Sequence, residues 1–86
     1  MATVIVTATA ATQFAELPRP IQTRILRVFE RLRDWPKVSG AKPLRGALAG
    51  RYRVRTGDYR LQFRVDAETI YVEKIGHRDR FYGGEQ

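Results

Sequence analysis

From residue 20 to residue 35 the apolar side chains fall at Ile21, Ile25, Val28, Phe29, Leu32 and Trp35, the i, i+4, i+7, i+8, i+11, i+14 spacing that lines one face of an α-helix. Pro20 suits the first turn of that helix, where an N–H has no intrahelical partner, and Pro36 ends it. Upstream, Thr3–Thr7 alternates and is β-branched, which predicts a strand, and Ala8–Leu17 carries Phe14 and Leu17 at helical spacing, which predicts a short helix before Pro18. Past residue 50 the period drops to two. Arg51–Thr56 and Tyr59–Val65 alternate around Gly57-Asp58, a short hairpin turn, and Ile70–Ile75 forms a further strand after the turn at Asp66–Thr69. Pro36–Gly50, with two prolines, three glycines and little periodicity, reads as an ordered loop. Gly76 is expected to break the last strand, and the ending HRDRFYGGEQ reads as too polar for a core element.

The element order is therefore β-α-α-β-β-β, an α+β domain in which a two-helix hairpin packs on a small, mostly antiparallel sheet whose strand order the pattern leaves open. Residues 1–86 make one domain, because a chain this short buries only about 60–65% of its unfolded surface and supports one modest core. There is no internal repeat. No run of eighteen apolar residues exists to span a membrane, and the N-terminal MATVIVTATA lacks a basic segment, so a cytoplasmic protein is expected. With no cysteine and His77 as the single histidine, neither a disulfide nor a zinc site is expected, and no cofactor is implied.

Charge sharpens this picture. The chain carries +7, and thirteen of its sixteen basic residues are arginine, whose planar five-donor fork matches phosphate and carboxylate geometry. Alternation points Tyr52 and Val54 one way and Arg51, Arg53 and Arg55 the other; the next strand sets Tyr59, Leu61, Phe63 and Val65 against Arg60, Gln62 and Arg64. Once the apolar faces pack on the helices, the arginines collect on one open face. Lys42, Arg45, Arg51, Arg53, Arg55, Arg60 and Arg64 against the single Asp58 give this segment +6 of the chain's +7. Like charges opposed across strands destabilise by roughly 0.2–1 kcal/mol per pair, so the pattern points to a polyanion surface more than to a solvated face, which would mix signs. Arg24, Arg27 and Arg31, at i, i+3 and i+7 on the long helix, either extend that surface or form a solvated helix face.

Two motifs give these elements a family likeness. The turn G-D-Y-R (Gly57 to Arg60) and the ending G-H-R-x-x-x-Y (Gly76 to Tyr82), set in a β-α-α-β-β-β chain, resemble the RelE/ParE superfamily of bacterial toxins from toxin–antitoxin pairs, from Val4 to Tyr82. The resemblance implies a toxin held off by a cognate acidic antitoxin in a hetero-oligomer. In the RelE-like branch it implies a metal-free endoribonuclease, an mRNA interferase acting on messenger RNA at the ribosome; in the ParE-like branch, an inhibitor of DNA gyrase. The complete basic and aromatic ending favours the first. Carried over by position, the functional places are Arg53 and Arg55, Arg60, and His77, Arg78 and Tyr82. Some RelE-like enzymes have lysine where this chain has Arg53 and Arg55; arginine does not lose its proton in a protein, so base duty must lie elsewhere.

RNA cleavage without metal requires a deprotonated 2′-hydroxyl, stabilisation of the phosphorane oxygens and protonation of the leaving 5′-oxygen. Arg60 and Arg78 are the expected grip on the phosphorane. Arg53 and Arg55, with Arg51, Arg64, Lys42 and Arg45, are expected to hold the RNA backbone. His77 is the candidate general base or acid, because histidine is the side chain whose reference pKa, about 6.5, lies nearest neutrality. Tyr82 is expected to stack on a base, to donate its phenol, or to anchor the tail beside Phe81. Glu73 and Asp79 are carboxylates near the same ending, available as bases or as ion-pair partners for the arginines.

Overall fold

The computed structural model describes residues 1–81. Strand β1 (Thr3–Val6) leads to helix α1 (Ala8–Ala15), whose first turn is closed by Thr7: its Oγ1 accepts from the N–H of Ala10 at 3.3 Å. Helix α2 (Arg19–Leu32) starts one residue before Pro20 and stops short of Trp35. It binds its predecessor directly, the Gln22 Nε2 donating at 3.0 Å to the carbonyl of Phe14, which also accepts from the Leu17 N–H at 3.1 Å where α1 ends.

The region expected to be a plain loop holds two ordered pieces, a two-residue strand β2 (Lys42–Pro43) and a 3-10 turn (Gly46–Leu48). Its short strand pairs Lys42 with Arg53, which the absence of hydrophobic alternation over two residues concealed. Strands β3 (Arg51–Thr56) and β4 (Tyr59–Asp66) form the expected hairpin; Gly57 takes φ 60°, the left-handed conformation the tight turn needs. Strand β5 (Thr69–His77) runs past Gly76, which stays within the strand opposite Arg60 and does not break it.

The sheet order is β1-β5-β4-β3-β2, antiparallel except for β1, which runs parallel to β5. Because β1 ends at Val6, opposite Val72, the outer edge of β5 is bare beyond that point. There α1 takes over, the Gln13 Oε1 accepting from the N–H of Ile75 at 2.8 Å. Strand β5 also bulges: Gln62 faces Lys74 while the next residue, Phe63, faces Val72, so one residue is inserted and the face that each side chain takes shifts.

One face of the sheet builds the core. Ile25, Val28 and Leu32 of α2 and Ala10 of α1 are buried against Val54, Leu61, Phe63, Ile70, Val72 and Ile75. Trp35 closes one side, its ring edge-on to Tyr52 at 4.7 Å and to Phe63 at 5.5 Å. The tail, expected to be too polar for burial, contributes Phe81: it ends helix α3 (Arg78–Phe81) and is 2% exposed. Phe81 stands apart from the main core, beside Gly76, where an added Cβ would lie 3.7 Å from its ring. Among the described residues no helix is long and apolar enough to cross a membrane.

Candidate nucleic-acid interface

The second face of the sheet carries the arginines, and strand register arranges them in rows. Lys42, Arg53, Gln62 and Lys74 form one row across β2, β3, β4 and β5. Nearer the hairpin turn lie Arg55, Arg60 and Gly76, and at the other end Arg51, Arg64 and Tyr71. The cationic face expected from alternation is thus present, with Lys42 and Arg55 exposed and Arg51, Arg53, Arg60 and Arg64 half-buried. A recess lined by Gly40, Lys42, Arg53, Arg55 and Gly57 marks its outer edge.

Arg60 is the most constrained of these cations. It is partly buried, directly opposite Arg55, and its Nε and Nη1 are both buried with no hydrogen-bond partner among the described residues. A buried donor left unsatisfied costs roughly 1–3 kcal/mol, and a like charge across the strand adds to that. An anion presented to this guanidinium would relieve both. Gly76 opposite it supplies no side chain to pair with, and the Phe81 ring stands beside Gly76, 3.7 Å from where a Cβ would lie.

His77 and Arg78 meet the same end of the sheet from elsewhere. His77 pairs with Tyr59, one position along from Arg60, so its ring lies on the other face, edge-on to Tyr59 at 5.2 Å. The break expected at Gly76 is absent, because the strand stays paired through His77. The His77 Nδ1 accepts from the N–H of Asp79 at 3.1 Å, which leaves Nε2 as the nitrogen for other chemistry. Arg78 is 58% exposed, its Nε 3.6 Å from an Asp79 carboxylate oxygen and 4.0 Å from one of Asp58. Its backbone N–H donates to the Asp58 carbonyl at 2.8 Å, tying the start of α3 to the hairpin turn.

At the far end the arginines are occupied. Glu73, displaced by the bulge, receives the Arg51 Nε at 2.7 Å and stands 3.4 Å from the Arg64 Nε. Gln62 Nε2 donates to the same carboxylate at 3.4 Å. Arg64 also lies over the Tyr71 ring, 4.0 Å from its centroid. Arg51 and Arg64, expected to hold RNA, are therefore bound within the sheet, and Glu73 is an ion-pair partner and not a free base. Asp79 likewise stands 3.6 Å from the Arg78 Nε. Arg45 is exposed just ahead of the 3-10 turn. Tyr82 lies outside the described residues.

One residue joined the site that sequence reasoning passed over. Lys74 sits in the central row and its ammonium binds the Phe81 carbonyl and lies 4.7 Å over the Phe81 ring. The signal was the spacing Ile70, Val72, Ile75, where a step of three among steps of two reveals the bulge that turns Lys74 to the cationic face. Of the helix arginines that were expected either to extend this surface or to form a solvated face, Arg24 of α2 reaches the hairpin, its Nη1 2.8 Å from where a Cβ on Gly57 would stand, whereas Arg31 turns to the Ser39 carbonyl at 3.3 Å. Among the described residues no three His, Cys, Asp or Glu side chains group as a metal site.

Residues 4–82 match the family described as the ParE toxin of the type II toxin–antitoxin system parDE. The chain is 37% identical over 83 residues to Toxin RelG of Mycobacterium tuberculosis, covering 93% of this chain and 94% of that relative. Its fold is similar to that of the toxin–antitoxin complex RelBE2 of Mycobacterium tuberculosis, with 32% identity, a TM-score of 0.79, and coverage of 90% of this chain and 98% of the other. The RelB–RelE antitoxin–toxin complex of Methanococcus jannaschii has a TM-score of 0.80 at 22% identity, covering 95% of this chain and 99% of the other, a likeness of fold.

Proposed function

Because the chain belongs to the RelE/ParE superfamily of type II toxins, we propose that it is an endoribonuclease that cuts messenger RNA on the ribosome through the RNA's own 2′-hydroxyl, without metal. The observation that carries this reading is the Arg60 guanidinium, with two buried donors awaiting an acceptor at the end of a cationic sheet. Arg60 donates to the non-bridging oxygens as charge grows on the phosphorane, where a fixed fork is worth most. Lys42, Arg53 and Arg55 hold the adjoining backbone. His77 exchanges the proton through Nε2, and exposed Arg78 adds charge at the leaving group. Since Arg60 and His77 flank the same end of β4 and β5 from opposite faces, the RNA crosses that end and its reacting phosphate lies between them. Tyr82 stacks on a base next to the cut.

The partner in this reading is a cognate antitoxin whose acidic segment folds over the arginine face and covers its charge. The solved relatives described above as toxin–antitoxin complexes support it. Work at the ribosome places the protein in the cytoplasm.

The test uses purified protein, translating ribosomes and a defined message. Cleavage leaves a 2′,3′-cyclic or 3′-phosphate and a 5′-hydroxyl, persists in chelator, and stops when the nucleotide at the cut is 2′-deoxy. A second reading, a toxin that inhibits DNA gyrase by binding it, is favoured by the match to the family described as ParE. Intact ribosome-bound message together with gyrase-dependent DNA breaks would establish that reading instead.

A further inference from the structure

The arginine face is divided by a carboxylate. Seven cations could in principle track a polyanion along the sheet, yet Glu73 stands among those at one end and takes Arg51 at 2.7 Å and Arg64 at 3.4 Å. Its position is built and not incidental. The bulge in β5 turns Glu73 toward the cations, and Gln62, only 7% exposed, donates to it from the central strand. Ala47 and Leu48 of the 3-10 turn line the same recess as Arg51, Gln62 and Glu73. Toward the hairpin, Lys42, Arg55 and Arg60 have no carboxylate across from them among the described residues.

We infer that Glu73 is a specificity-determining residue that withdraws Arg51 and Arg64 from RNA and so confines the polyanion footprint to the hairpin half of the sheet. This rests on the RNA-cutting reading above. Two arginines already satisfied by a carboxylate release no counterions when a phosphate approaches, whereas Lys42, Arg55 and Arg60 do. The consequence is register: a strand held only near the hairpin end brings one phosphate to Arg60, while a strand free to spread over the whole face could bind with its phosphates out of register with the reacting groups. Glu73 thus lowers non-productive binding to RNA.

The salt dependence of RNA binding reads this directly. Single-stranded RNA, made uncleavable by 2′-O-methylation, is titrated with the parent, Glu73→Gln and Asp66→Asn, the last removing the same charge from the exposed β4–β5 turn. Each phosphate contact contributes about 0.7 to the slope of log K against log salt, so freeing two arginines steepens the slope by about 1.4 in Glu73→Gln. Its advantage over the parent then shrinks about sevenfold between 50 and 200 mM salt. Asp66→Asn leaves the slope alone. Arg51→Gln provides an independent arm, flattening the slope in the Glu73→Gln background but not beside an intact Glu73. A slope in Glu73→Gln equal to or shallower than the parent's overturns the inference. So does a slope that falls when Arg51 alone is replaced, an arm that stands even if Glu73→Gln fails to fold. If the parent binds no RNA even at low salt, the ribonuclease reading itself fails and this inference falls with it.

Discussion

Replacing Arg60 with methionine should make the protein more stable and inactive at once. Methionine keeps the unbranched stem that lies along β4 but removes the two buried donors, Nε and Nη1, that no described group satisfies. Each such donor costs roughly 1–3 kcal/mol when buried, and the opposed Arg55 adds about 0.2–1 kcal/mol of like-charge repulsion. Part of this is already relieved, since Arg60 is only partly buried, so a net gain of about 1–2 kcal/mol is a fair expectation. In a domain of this size that raises the midpoint of thermal unfolding by about 4–8 °C per kcal/mol. The assay is a melt of each protein in low salt, followed by the same melt with rising sulfate. An anion that binds the folded state at 100 times its Kd stabilises by about 2.7 kcal/mol, and this increment should appear in the parent and be much reduced in Arg60→Met. RNA cleavage and growth inhibition should be lost in the stabilised variant. A lower melting point in Arg60→Met, with an unchanged sulfate response, would refute the reasoning, because it would mean that the guanidinium serves the fold and not an anion.

The remaining expectations follow from the same geometry. His77→Ala should slow single-turnover cleavage by roughly 10²–10⁴ with little loss of RNA binding, as for a group that moves a proton; a loss of affinity of equal size would assign the ring to binding. Arg78→Ala should end growth inhibition while leaving the melting point within a few degrees, since the side chain is 58% exposed, and Arg78→Lys should restore little because an ammonium lacks the fork. Phe63→Ala should cost about 3–5 kcal/mol, enough to unfold much of the protein at 37 °C by circular dichroism, because its fully buried ring underlies both Trp35 and Tyr52. Gly76→Ala should fold normally, the new methyl meeting Phe81 at an ordinary 3.7 Å, and a melting point lowered by more than a few degrees would count against the packing described.

What this sequence determined by itself was whatever depends on neighbours along the chain. Helix α2 was legible because Ile25, Val28 and Leu32 must share one side of a 3.6-residue period, and the β3–β4 hairpin because two-residue alternation meets at Gly57-Asp58. The same alternation placed the arginines on one face. Tertiary structure decided the rest, because it depends on which strands become neighbours. The parallel pairing of β1 with β5 leaves a bare edge that Gln13 fills, a contact between residues 62 positions apart. The bulge at Glu73 reverses which residues of β5 face outward, bringing Lys74 to the cations and Glu73 between Arg51 and Arg64. Continuous pairing to His77 puts that ring on the face opposite Arg60, although both motifs carrying them were plain in the sequence. Phe81 became buried because Gly76 and the Lys74 side chain offer it a surface, which a tail rich in charge did not announce. A residue's type and period say which face of its own element it occupies; only packing says what that face meets.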